Sequence, residues 1–253
     1  MKRFLWPREH GAYAQLAFPL LSGLALGGPT PAGLALVVAT VSAFLAYEPV
    51  VVRAGVRGVR LQREHAATGR RQLIVLIPLT LAAGMIGVWL APPDARRLIA
   101  LPAALGACLV VMLLARRVKT LPGEVVVAGT LAAMHLPIAA SGVATGIQLW
   151  APAGVWFSGF VLATLVVHAI KADLKGRDRW LRMAATVVAV AGLLCALWLM
   201  AIADLRILGI ALAIPVLAAF GVSLAHVHPR QLKRVGWTLV AANLATLLVF
   251  TRL

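Results

Sequence analysis

Continuous apolar runs of about 20 residues recur along the whole chain, separated by short basic segments, and they constrain this sequence more than any motif in it. A run of that length is what a helix needs to cross the roughly 30 Å hydrocarbon core of a bilayer. Hydrophobic residues make up 62% of the 253, and charged residues only 13%. A soluble domain of this size needs a polar skin that such a composition cannot supply. The runs are continuous and do not alternate, which excludes a membrane β-barrel. The fold class is therefore all-α, a polytopic bundle of transmembrane helices.

Nine apolar segments can be counted, at 11–27, 32–52, 72–91, 98–115, 123–142, 152–171, 182–203, 206–225 and 235–251. The basic residues test the count. With the N-terminus inside, 20 of the 24 lysines and arginines fall on the cytoplasmic side, leaving only Arg96, Arg97, Arg206 and Arg252 opposite. So one-sided a split predicts nine spans in a single transmembrane domain over residues 1–253, with the C-terminus outside. The net charge of +16 belongs to this topology and to an anionic lipid surface, so nucleic acid is not an expected partner. Cys108 and Cys195 sit inside apolar runs without C-x-x-C spacing, so neither a disulfide framework nor a zinc site is indicated. The basic start and first apolar run superficially match a signal peptide. Repeated spans follow, however, without a small-x-small cleavage site, so cleavage is not expected.

Charged chemistry gathers at three places on the predicted cytoplasmic side. At the mouth of the first span, Arg8, Glu9 and His10 stand consecutively between Trp6 and Tyr13. Charges at such a position are either an interfacial anchor or a site. In the second connection, Arg53, Arg57, Arg60 and Glu64 follow i, i+4, i+7, i+11 spacing and would share one face if the second helix ran on. In the sixth, His168, Lys171 and Lys175 again share one face, with Asp173 beside them. Both stripes are either basic faces on anionic headgroups or the wall of a cavity. His135 lies in the fifth span, two residues before Pro137, where it is expected to hydrogen-bond a neighbouring helix or a carbonyl freed by the proline. Glu124 suits a helix N-terminus and has Arg116 and Arg117 within reach as partners.

The opening Pro7-Arg8-Glu9-His10-Gly11-Ala12, followed by Leu16-x-x-Pro19-Leu20, resembles the signature of the YwiC-like bacterial membrane proteins. That resemblance implies the bacterial cytoplasmic (inner) membrane. A more distant resemblance is to the UbiA superfamily of intramembrane prenyltransferases. It rests on Arg116-Arg117-Val118-Lys119-Thr120-Leu121-Pro122, then Gly129, Ala133, Pro137 and Ala139-Ala140, which are similar to the fifth UbiA helix. Span number and the two long cytoplasmic connections agree, so a UbiA-like bundle is the implied architecture. UbiA enzymes carry aspartate-rich motifs at the ends of helices two and six that hold magnesium against a prenyl diphosphate. Here those regions read Tyr47-Glu48-Pro49 with Arg53, Arg57 and Arg60, and His168-Ala169-Ile170-Lys171-Ala172-Asp173-Leu174-Lys175. One carboxylate survives in each, Glu48 and Asp173. Two carboxylates can still hold one magnesium ion through waters, although this is not the usual pair of motifs.

A cavity lined by arginine and lysine can neutralise a phosphate without metal, through charge-assisted hydrogen bonds. The expected binding residues are Arg8, Arg53, Arg57, His168, Lys171 and Lys175, and the ligand an anionic or isoprenoid lipid. Glu48, Asp173, His10 and Glu9 are the expected proton-handling or cation-steering groups if chemistry occurs. Three functions share these residues: a divergent prenyltransferase-type enzyme, a transporter of an anionic amphiphile, and an accessory subunit of a membrane complex.

Overall fold

The computed structural model of the chain describes residues 4–7, 10–173, 179–225 and 231–253, with the side chains of His10, Asp173 and Arg179 outside that set. Among these residues helix is the one kind of regular secondary structure. Its elements are α1 (His10–Gly27), α2 (Pro31–Arg53), α3 (Val59–Leu90), α4 (Pro93–Leu114), α5 (Leu121–Ala133), α6 (His135–Ala140), α7 (Ile147–Asp173), α8 (Arg179–Ala201), α9 (Arg206–Leu224) and α10 (Leu232–Phe250). A 3₁₀ turn, Ala203–Leu205, joins α8 to α9. Eight helical stretches are long and apolar enough to cross a membrane, with α5 and α6 together forming one of them. The shorter apolar helix Gly11–Gly27 lies where the remaining span is expected. The protein is a multi-pass, all-α membrane protein.

Local chemistry sets the boundaries. Thr30 and Thr120 cap α2 and α5, each accepting from the backbone N–H three residues on (Gly33 and Gly123), with a proline in each first turn. The expectation that α2 runs on through the arginine stripe is not met. Gly55 adopts a left-handed φ of 73°, and the N–H groups of Gly55 and Val56 turn back onto the carbonyls of Val52 and Val51. That is a Schellman stop. Gly58, at φ 96°, then redirects the chain into α3. Arg53 and Arg57 therefore share no helical face with Arg60 and Glu64. The charged segment belongs to the next helix instead: α3 has 32 residues, roughly 48 Å of helix, and its first three turns overshoot the bilayer core. A further break divides α5 from α6 at Met134, just before the Pro137 that cannot donate to the preceding turn.

The helices alternate in direction, so one face of the bundle carries residues 4–7, the α2–α3 and α4–α5 connections, the end of α7 and the start of α10. We call it the basic face. The broken span α5–α6 is the most deeply buried of the eight, with α1, α4 and α7 packed against it, and α9 joins the mostly apolar core through α7. Trp156 of α7 stacks on Phe18 of α1 at 5.6 Å and on Phe160 at 5.9 Å, and meets Phe250 of α10 edge-on at 5.4 Å. Around this core α3, α4, α8 and α10 turn apolar side chains outward, among them Met85, Trp89, Val111, Leu194, Trp198 and Leu248. Water would not tolerate such a belt and lipid does. α3 packs almost wholly on α2, as one antiparallel hairpin.

Candidate functional site

The site is built where the α2–α3 hairpin opens at the basic face. Glu48 lies in the last turns of α2 and is buried, with its side chain 4% exposed. A carboxylate there needs a cation, since a buried unpaired charge is prohibitively costly. The turn after α2 supplies one. Arg57 donates Nε–H to Glu48 Oε1 at 3.1 Å and Nη2–H to Oε2 at 3.0 Å, a two-pronged pair in the planar geometry that guanidinium and carboxylate share. Arg53, four residues earlier, remains exposed and meets no carboxylate among the described residues. Its backbone carbonyl accepts from Gln62 Nε2 at 2.7 Å, which ties the start of α3 to the end of α2.

Residues 4–7 cross this opening as a strap. Leu5 and Pro7 are buried, while Phe4 and Trp6 remain exposed with their rings 4.7 Å apart. Leu5 donates its backbone N–H to Gln72 Oε1 on α3 at 3.2 Å, and Pro7 accepts from the Tyr13 hydroxyl on α1 at 3.1 Å. Beneath the strap is a cavity of about 290 Å³ lined by Phe4, Leu5, Trp6, Glu48, Val52, Arg57, Leu61 and His65. A second cavity of about 340 Å³ adjoins it, walled by Arg53, Gln62, Gly69 and again Val52 and His65. His65 is thus common to both. Its Nδ1 is sealed from solvent without a hydrogen-bond partner among the described residues, as is Gln72 Nε2.

The other expected site residues are placed differently. α2 and α7 share no extended interface, and α1 packs against both. His168 of α7 faces Glu124 of α5, with Nε2 3.0 Å from Oε2, so Glu124 takes an imidazole as partner in place of Arg116 or Arg117. Lys171 is exposed in the last turn of α7, where a cation complements the helix dipole. Neither cavity is lined by His168 or Lys171. Arg8, Glu9 and Lys175 lie outside the described residues, as do the side chains of His10 and Asp173. Sequence reasoning missed His65 and Gln72 altogether. His65 follows Arg60, Arg63 and Glu64, and nothing in such a run distinguishes the one inward-facing ring.

His135 proves to be a hydrogen-bonded core residue, as expected, although its partners are specific. It is fully buried in α6. Nε2 lies 3.0 Å from the Gln148 carbonyl, which can only accept, so this nitrogen carries the hydrogen and Nδ1 is left bare. Nδ1 lies 2.9 Å from Ser22 Oγ on α1, and that oxygen in turn accepts from Trp156 Nε1–H at 2.9 Å. The Ser22 hydroxyl divides its single hydrogen between His135 Nδ1 and the Pro19 carbonyl at 3.0 Å. Three spans are thereby pinned at one point. Ser22→Ala should cost about 1–3 kcal/mol in detergent unfolding titrations, because it leaves the Trp156 N–H without an acceptor. Thr130→Ala, which loses only a bond to a carbonyl of its own helix, should cost measurably less.

Compared with known proteins, the chain matches the family model of the YwiC-like protein over residues 6–140. The match starts within the strap, at Trp6, and ends with α6; it contains the Glu48–Arg57 pair, Arg53, His65 and His135, while Phe4 and Leu5 precede it. No curated protein and no solved structure matches the chain. With more than half its length covered by that model, the chain belongs to the YwiC-like family.

Proposed function

We propose that the protein lies in the bacterial cytoplasmic membrane with its basic face inward, and binds an anionic amphiphile there by its headgroup. An isoprenoid phosphate or a phospholipid has the right character. One observation carries the reading: Arg53 presents a guanidinium, unmatched by any carboxylate among the described residues, to a cavity beside the membrane interface. Charge-assisted hydrogen bonds from arginine to phosphate oxygens are among the stronger polar contacts available to a protein. Arg57 is spent on Glu48, so it shapes the wall and contributes little net charge. The same pairing favours binding over catalysis at this carboxylate. Both Glu48 oxygens accept from Arg57, which leaves Glu48 poorly placed to take a proton or steer a cation. The prenyltransferase chemistry implied by the UbiA resemblance is for that reason the second choice.

The test is native mass spectrometry of the gently extracted protein, with lipid extraction, on the wild type and on Arg53→Ala. Arg53 is exposed, and the bond from Gln62 goes to its backbone, so the variant should fold. A defined isoprenoid or phospholipid retained by the wild type and lost by the variant is the expected result. Bulk lipid alone, unchanged by the substitution, would sink the anionic-headgroup reading and move the accessory-subunit function ahead. Flux of the identified lipid in proteoliposomes, abolished by Arg53→Ala, would convert binding into transport.

A further inference from the structure

Two buried nitrogens without partners among the described residues, His65 Nδ1 and Gln72 Nε2, stand on the first four turns of α3 beside the strap and its cavities. Buried polar groups are nearly always paired, so each orphan asks what completes it. Gln72 is largely accounted for: its Oε1 holds the strap through Leu5 N–H, and the unused amide nitrogen accompanies that tether. His65 has no such duty. Its ring forms part of the wall of both cavities, between Arg57 and Glu48 on one side and Arg53 and Gln62 on the other. A half-turn of the ring exchanges Nδ1 with Cδ2, so the unused nitrogen can be turned towards a ligand at little conformational expense.

We propose that His65 is a ligand-binding residue, and that it and Arg53 together hold a phosphate-type oxyanion at the junction of the two cavities. This rests on the binding function proposed above and assigns its chemistry. The oxyanion oxygens accept from the Arg53 guanidinium and from a ring N–H of His65. Phe4, Leu5, Trp6, Val52 and Leu61 then offer an apolar wall to a hydrocarbon chain attached to the phosphate. The cation set does not involve α7, and the Glu48–Arg57 pair is the floor of the site, not its anion receptor. Phosphate on a lipid headgroup and free phosphate share this chemistry. The apolar wall favours the lipid form.

The decisive comparison titrates dodecyl phosphate and, separately, inorganic phosphate into the purified full chain in neutral detergent, reading adducts by native mass spectrometry and stability by thermal unfolding. His65→Leu removes Nδ1, which has no partner among the described residues, together with Nε2, so without ligand its unfolding temperature should stay close to that of the wild type. Its dodecyl phosphate affinity should nevertheless fall about tenfold or more, the worth of a hydrogen bond to a charged group. His65→Asn places an amide N–H near the position of Nδ1 and His65→Gln near that of Nε2, so one of the two should recover most of the affinity and identify the nitrogen. Binding of dodecyl phosphate but not inorganic phosphate would identify a lipid headgroup as the source, and equal binding of both would identify free phosphate. If Arg53→Ala loses binding while His65→Leu keeps it, the assignment of His65 is overturned and the broader function survives. If the wild type retains neither probe, both fall together.

Discussion

Gly142→Ala should abolish the folded protein, or reduce its stability by more than about 3 kcal/mol, through one added methyl group. Gly142 lies in the turn after α6, and Val143 N–H donates to the Gly27 carbonyl at 2.9 Å, so the ends of α1 and α6 touch backbone to backbone. A Cβ at 142 would overlap the Gly27 carbonyl oxygen and approach Gly27 C to 2.5 Å. Neither is the loose tip of a side chain. Gly27 is equally confined from the other direction, since a Cβ there would come within 2.8 Å of Ala139 Cα. Only moving α1 away from the buried α6 would relieve the overlap, and that would open the contact on which the Ser22–His135 bond depends. Gly154→Ala is the control. It sits in α7 with nothing within 4 Å of the added carbon, so helix propensity alone should leave it neutral or slightly stabilised. Folded yield and unfolding midpoint in detergent separate the two outcomes, and equal behaviour of the two variants would refute the close contact.

Arg57→Ala should cost about 3 kcal/mol, because it leaves the Glu48 carboxylate buried without its counter-ion. The pair is asymmetric: the arginine side chain is 25% exposed and the carboxylate only 4%. Removing the carboxylate instead, as in Glu48→Gln, lets Arg57 turn to water and should cost only about 1 kcal/mol. The double variant Arg57→Ala/Glu48→Gln should regain most of what the single arginine variant loses. Unfolding midpoints of the four proteins in one detergent measure the cycle. Simple additivity would show that Glu48 draws its compensation from elsewhere and would remove the pair as the floor of the cavity.

How far the sequence foretold these features depended on the physical rule behind each. Bilayer thickness dictates the length of every span, so α2, α4 and α7–α10 fall close to their expected ranges. The arginine stripe misled because i, i+4, i+7 spacing can persist by chance through Gly55 and Gly58, and a periodicity does not register a left-handed φ. Contacts between helices were the least legible. Glu124 and His168 are 44 residues apart, and Ser22 and Trp156 are 134 apart. No local pattern encodes such pairs. Glu48 and Arg57 both stand out in the sequence as site residues, but not as a pair, because the Gly55 turn that brings them together leaves no trace in their spacing.

The bond connecting Ser22, His135 and Trp156 also sets a timetable. Spans enter the membrane in the order of synthesis, and α1 can wait there comfortably because the Ser22 hydroxyl already has the Pro19 carbonyl of its own helix. The imidazole of His135 has no such self-sufficiency: its partners are Ser22, long since made, and the Gln148 carbonyl, still to come. Gln148 follows His135 by 13 residues and lies in the first turn of α7, so full pairing of the ring waits on that helix.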